Sequence, residues 1–295
     1  MKRLSIIIVT YHSESDIYDC LDSVWKHSDL PREELEVIIV DNSPESDEMF
    51  GKLRALYGDD VILLHNSRNG GYGQGNNLGI RQATAPVLLI MNPDVRLMKP
   101  VFKTAVEAFE QDSDLCFYGM KQMFDEQTPS PYSFACTSMM NGYAYTLLTA
   151  FGNRFDYYSP SRMHFSGSCF FVDREKFIDI GLFDESVFMY CEEDDISYRM
   201  RQRFGVHSRY NKHLHYVHPM HLREPDLDYE KQLVDIAILQ NEKKGYPRQK
   251  TIRGRLQNVN CLIWMARLKK MLGKGSPEYL EFLRKRRDYL RSLKS

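Results

Sequence analysis

Leu4-Ser5-Ile6-Ile7-Ile8-Val9-Thr10, then Ser13-Glu14-Ser15-Asp16, then Ile17, Cys20, Leu21, Val24 and Trp25, is the stretch that decides the fold. A short apolar run rich in β-branched residues reads as a buried strand. The Ser/Asp cluster that follows is a helix N-cap signal, and apolar residues three and four apart continue as an amphipathic helix. The unit repeats. Glu36 to Val40 reads as a strand ending at Asp41, Met49 to Tyr57 as a helix, and Val61 to His65 as a third strand. A glycine-rich turn and a helix over Asn76 to Ala83 lead into the strand Val87 to Met91. Strands alternating with helices predict an α/β fold, a mostly parallel sheet with helices on both faces. Ligands of such sheets bind at the carboxyl ends of the strands. Thr10-Tyr11, Asp41-Asn42 and Asn92-Pro93-Asp94 are therefore expected to converge on one cleft.

The chain has 295 residues, 43% of them hydrophobic and 27% charged, as in soluble globular proteins. No apolar run reaches the 18 or so residues of a membrane span, and the apolar start is expected to be a strand, not a signal peptide. Six cysteines without a C-x-x-C pair predict reduced thiols in a cytoplasmic setting and give a zinc site no support. The formal charge of −1 conceals an asymmetry: residues 243–295 carry 16 Lys+Arg against 3 Asp+Glu. Those cations are mixed with Cys261, Ile263, Trp264, Tyr279, Leu280, Leu283 and Leu290 at helical spacing. The mixture predicts helices lying on an anionic membrane surface, with packing on the acidic body or a homodimer as the alternative use. Nucleic acid is not an expected partner.

Four stretches carry candidate chemistry. Asn92-Pro93-Asp94 closes an apolar strand and offers a hard oxygen ligand suited to Mg²⁺ or Mn²⁺ on a diphosphate. Asn69-Gly70-Gly71-Tyr72-Gly73-Gln74-Gly75-Asn76-Asn77 supplies backbone able to approach a phosphate or sugar, but it lacks the placement of a dinucleotide fingerprint. Glu192-Glu193-Asp194-Asp195 sets four carboxylates at a helix start behind Phe188-Met189-Tyr190-Cys191. The helix dipole favours acids there, while mutual repulsion and an apolar approach raise at least one pKa toward the range of a general base. His213, His215, His218 and His221 cluster at the end of a strand over Tyr210 to Val217, where one is a candidate metal ligand.

Taken in order, Ser5 to Tyr11, Val37 to Ser43, Asn69 to Gly73 with Asn76 to Ile80, Leu89 to Val95 and Phe188 to Asp195 resemble family 2 glycosyltransferases of the GT-A fold, especially the rhamnosyltransferase-like branch. The resemblance covers roughly residues 4–222. It implies inverting transfer of a sugar from a nucleotide-sugar, such as dTDP-rhamnose or a UDP-hexose, to a hydroxyl of a glycan or polyprenyl-linked acceptor in surface polysaccharide synthesis. It also implies that Asp41 contacts the base, and that Asp94, with Asn92 in place of the first acid of a D-x-D motif, holds the divalent cation. Thr10, Tyr11, Asn69, Gly71 and Asn76 would complete the donor site. The acidic motif would supply the base: Glu193 stands where an aspartate is usual, with Asp195 and Glu192 as the alternatives. His218 matches the metal-site histidine best by spacing, with His221 the other candidate.

The expected organisation is a GT-A domain over 1–225, in which about 120–164 is a variable acceptor-side insertion, and a basic helical extension over 226–295. The rival functions are a nucleotidyltransferase on a related sheet and a non-catalytic membrane- or glycan-binding scaffold. The expected location is the cytoplasm, peripheral to the inner face of the membrane.

Overall fold

A computed structural model describes residues 1–45, 47–137, 141–219 and 226–294. His221 lies outside the described residues. In chain order the elements are β1 (Leu4–Thr10), α1 (Ile17–Lys26), β2 (Leu35–Asp41), α2 (Asp47–Tyr57), β3 (Val61–His65), α3 (Tyr72–Gln82), β4 (Val87–Met91) and β5 (Arg96–Leu97). They continue as α4 (Phe102–Gln111), β6 (Phe117–Met123), β7 (Phe134–Cys136), α5 (Gly142–Phe155), β8 (Met163–Phe165), β9 (Cys169–Asp173), α6 (Arg174–Asp179) and α7 (Glu192–Phe204). The last four are β10 (Ser208–Val217), α8 (Leu227–Lys243), α9 (Arg248–Met271) and α10 (Pro277–Ser292).

The chain divides into two units, residues 1–133 with 165–220 and residues 134–164 with 221–295. In the first, eight strands run in the order β3-β2-β1-β4-β9-β6-β10-β5. β1 pairs in parallel with β2 and β4, β2 with β3, and β6 with β10. β9 runs antiparallel between β4 and β6, and β5 antiparallel beside β10. The sheet is thus mostly parallel, as the alternating pattern predicts. β1 and β2 are apolar almost throughout because both faces are covered. Ile6, Ile8, Val37 and Ile39 meet α1, α2 and α4 on one face. On the other face α3 lies flat on the sheet, where a Cβ at Gly79 would run into Ile7 and Val40.

The second unit contains α5, α8, α9 and α10. Its core is Val234 and Ile238 of α8, Ile252, Leu256, Val259 and Ile263 of α9, and Leu280, Leu283 and Leu290 of α10. This corrects one expectation. Cys261, Ile263, Leu280, Leu283 and Leu290, read as membrane-facing, are buried, because the helices need one another to cover their apolar stripes. Arg286 is buried as well and lies 2.9 Å from Glu230. The stretch read as a variable insertion holds a helix, α5, which packs on α9: Gly142 sits against Gly254, and Asn258 Nδ2 donates to Thr146 Oγ1 at 2.8 Å. Among the described residues no helix is long and apolar enough to cross a membrane.

Candidate active site

Strand polarity gathers the candidate residues at one edge of the sheet. The parallel strands β1, β2, β4, β6 and β10 end there, and the antiparallel β9 begins there, bringing Ser166-Gly167-Ser168 to the same edge. β4 and β10 are not neighbours in the sheet, yet their ends meet. After Asp94 the chain turns into β5, which pairs with β10 through Leu97 and Tyr216 and through Arg96 and Val217. Asp94 Oδ2 thereby comes 3.2 Å from Nε2 of His218, the residue that follows β10.

The pair is anchored from behind. The His218 backbone N–H donates to the Met123 carbonyl at 2.9 Å, and Gln122 Nε2 lies 3.3 Å from His218 Nδ1. Tyr216 Oη donates to Gln122 Oε1 at 3.3 Å and shares a 2.9 Å hydrogen bond with Ser168 Oγ. The Ser168 carbonyl accepts from the Asn92 N–H at 2.8 Å. The neighbouring Gly167 N–H donates to Glu193 Oε1 at 3.0 Å, and the Gly167 carbonyl accepts from Tyr72 Oη at 2.7 Å. Gly167 and Ser168, just before β9, therefore tie the Asp94/His218 pair, the end of β4 and Glu193 into one network. The sequence reading missed Gln122, Ser168 and Tyr216, because a glutamine and a tyrosine in strands and a serine in a turn carry no motif of their own.

The acids of α7 take different parts. Asp195 is buried and held by Arg199, which donates through Nε at 2.9 Å and Nη2 at 2.6 Å. It is committed to an ion pair within its helix. Glu192 is buried with Oε1 unpartnered, and burial, then the charge of Glu193, pushes its carboxyl up to about 8. Burial thus favours the protonated form of Glu192. Glu193 is half-buried, and the Gly167 N–H holds only one of its oxygens. Tyr190 and Cys191, just before α7, have φ of 81° and 68°, a left-handed conformation that L residues avoid and that strained sites retain.

On the donor side, Thr10 Oγ1 and Ser43 Oγ donate to Asp41 Oδ1 at 2.8 and 2.9 Å. Asp41 Oδ2 is buried without a partner. Asn42 Nδ2 donates to the Gly71 carbonyl at 3.2 Å, and Asn69 Oδ1 accepts from the Gly71 N–H at 3.1 Å. Gly71 has φ of 92°, and a Cβ there would overlap the Phe188 carbonyl, which also accepts from the Tyr72 N–H at 3.0 Å. The glycine run thus uses its closeness to join α3 to the segment before α7 and to the sheet. Asn76 Nδ2 donates to the Tyr72 carbonyl at 2.9 Å, and its Oδ1 is buried and unpartnered. Asn77, quoted in the glycine-rich stretch without a role of its own, accepts from the Phe183 N–H at 3.0 Å and donates to the Phe183 carbonyl at 2.9 Å. Tyr11 is exposed, its ring edge against His12. His213 lies within the register irregularity of β10, and His215 lies near Lys99 and Lys121, its pKa lowered chiefly by burial.

Among the described residues no three His, Cys, Asp or Glu side chains form a metal cage. The Asp94/His218 pair nevertheless fits a divalent cation. Adjacent ligands of a six-coordinate ion at about 2.1 Å stand about 3 Å apart, and Mg²⁺ or Mn²⁺ on a nucleotide draws its remaining ligands from phosphates and water.

The glycosyl transferase family 2 profile matches residues 5–181, well over half of the chain. The chain belongs to that family. It is 29% identical over 212 residues to the low-salt glycan biosynthesis hexosyltransferase Agl10 of Haloferax volcanii, covering 68% of this chain and 62% of that one. It is 30% identical over 141 residues to the poly(ribitol-phosphate) β-N-acetylglucosaminyltransferase TarS of Staphylococcus aureus, covering 44% of this chain and 24% of TarS. The chain thus spans less than two thirds of either relative. Among solved structures, the mannosyltransferase PcManGT of Pyrobaculum calidifontis with GDP-Man and Mn²⁺ superposes with a TM-score of 0.60 at 18% identity, covering 96% of this chain and 79% of that one. S. aureus TarS 1–349 with UDP superposes with a TM-score of 0.56 at 17% identity, covering 88% and 70%. These likenesses show the GT-A fold, in agreement with the sheet order.

Proposed function

We propose that this family 2 member is an inverting, metal-assisted glycosyltransferase that moves a hexose from a nucleoside-diphosphate sugar to a hydroxyl of a glycan or polyprenyl-linked acceptor. The observation that carries the reading is the Asp94/His218 pair joined through Gly167-Ser168 to Glu193, two functions on one sheet edge. Asp94 and His218 would hold the cation, which neutralises charge on the departing diphosphate. Asp41 Oδ2, its partner oxygen fixed by Thr10 and Ser43, suits a base N–H. Glu193 takes the proton from the acceptor hydroxyl as that oxygen attacks the anomeric carbon. The bond from this carbon to the diphosphate breaks on the opposite face, so configuration inverts and the nucleoside diphosphate leaves with the electron pair. Protonated Glu192 spares Glu193 a second negative charge beside it, and Asp195 holds the helix through Arg199.

The names of the relatives support a hexose donor and a glycan acceptor, and the UDP and GDP-Man complexes support a diphosphate nucleotide. Six free cysteines support a cytoplasmic location, and the cations of 243–295 support peripheral contact with an anionic leaflet. The test is a panel of nucleotide-sugars with Mn²⁺ or Mg²⁺, scoring release of nucleoside diphosphate. Glu193→Gln should keep donor binding and lose transfer by about 10²-fold or more. Asp94→Ala should make calorimetric binding of the nucleoside diphosphate insensitive to chelator. Release of pyrophosphate, or wild-type binding indifferent to metal, would overturn the reading.

A further inference from the structure

The amphipathicity of α5 is inverted. The face it turns inward carries Gly142, Thr146, Gly152 and Asn153, all buried. Its outward face carries Tyr143, Leu147, Phe151 and Phe155, spaced four apart and between 43% and 63% exposed. Scattered exposed apolar residues are ordinary on a protein surface, but a contiguous strip marks a contact surface. The strip is reinforced within itself, with the rings of Phe151 and Phe155 4.8 Å apart and Tyr157 6.3 Å from Phe151. α5 bears a single charged residue, Arg154, whose guanidinium lies 5.7 Å from the Phe155 ring centre.

The same unit supplies a second exposed apolar group and its cations. At the end of α9, Trp264, Leu268, Met271 and Leu272 are exposed among the exposed Arg267, Lys269, Lys270 and Lys274. The net charges of the two units are opposite: residues 134–164 with 221–295 hold 20 Lys+Arg against 10 Asp+Glu, a net +10, and the remainder carries −11.

We propose that the exposed strip of α5 inserts into the interfacial layer of an anionic bilayer, with the cations of its own unit holding lipid phosphates. The proposal rests on the reading of 243–295 as an anionic-surface contact and adds its apolar half, which lies outside those residues. A 14-residue helix is about 21 Å long, too short to span a bilayer but suited to lie in its plane with aromatic side chains at headgroup depth. A second copy is the less suitable occupant, because strip against strip would bring two units of +10 together. An anionic leaflet meets both properties at once.

The test is co-sedimentation of the full chain with vesicles of phosphatidylglycerol and phosphatidylcholine, alongside sedimentation velocity. The wild type should bind in low salt. Phe151→Ser with Phe155→Ser should lower the partition coefficient at least 10-fold while leaving the melting curve and nucleoside diphosphate binding intact. Leu56→Ser, an exposed apolar residue of the other unit, should change nothing. Equal partitioning of the double variant and the wild type would overturn the role of α5 and leave the cationic contact standing. A wild type that ignores anionic vesicles would remove both. A wild-type dimer that the double variant dissolves, without vesicle binding, would assign the strip to a second copy. Donor turnover on a soluble acceptor, measured in parallel, keeps these outcomes apart from failure of the transferase reading.

Discussion

Glu192 and Glu193 are adjacent and chemically alike, yet the fold gives them different work. Glu192 is buried and Glu193 reaches solvent, so burial separates the proton holder from the candidate base. That separation has a pH signature. The Glu192 carboxyl rises from 4.5 to about 8 on folding, so between those values the native chain holds a proton that the unfolded chain has released. Stability therefore falls as pH rises across that window and levels off above it. Glu192→Gln removes the dependence. Its melting temperature should exceed that of the wild type at pH 8.5, by roughly 2–4 °C for each kcal/mol recovered, with the gap closing toward pH 4.5. An offset independent of pH would show that Glu192 does not titrate in this way. The sequence shows four acids at a helix start but not which of them is buried. That Asp195 belongs to Arg199 follows only from helical geometry, four residues along.

Among the elements, the parallel strands and their helices are legible because each carries its own period: β1, β2 and β4 are continuous apolar runs, and α1 repeats at three and four. The breaks between α8, α9 and α10 fall at Gly245 to Pro247 and Gly273 to Pro277, where glycine and proline interrupt the pattern. α5 is less legible because its buried face is glycine, threonine and asparagine, so the usual apolar stripe points away from the core. α3 starts at Tyr72 inside the glycine run, earlier than glycine content predicts, because Gly71, Gly75 and Gly79 serve close packing. At Gly71 both the left-handed φ and the contact with the Phe188 carbonyl exclude a side chain. Gly71→Ala should therefore destabilise the chain by about 1–3 kcal/mol in urea unfolding and misplace the turn before α7, lowering transfer as well. Gly51→Ala, in open space on α2, should be neutral or better.

Across the whole molecule, composition reveals an acidic body and a basic end, but only the contacts show that 134–164 joins the cationic unit. Long-range assembly of that kind leaves no local pattern to read. The same holds for the meeting of Asp94 and His218, which the family resemblance pairs but no local pattern does, because β5 must reach β10 before they meet. This pairing also sets an order of events in time. The two residues stand 124 positions apart, so their encounter awaits closure of nearly the whole sheet and the slow gathering of distant segments. A chain refolding from urea should regain its far-UV signal first and metal-dependent nucleotide binding last, with stopped-flow traces of the two out of step. Simultaneous recovery would contradict that order. On the proposed reading, a chain whose last strand has not docked lacks the Asp94/His218 pair, so a truncated or half-made copy would not consume nucleotide-sugar.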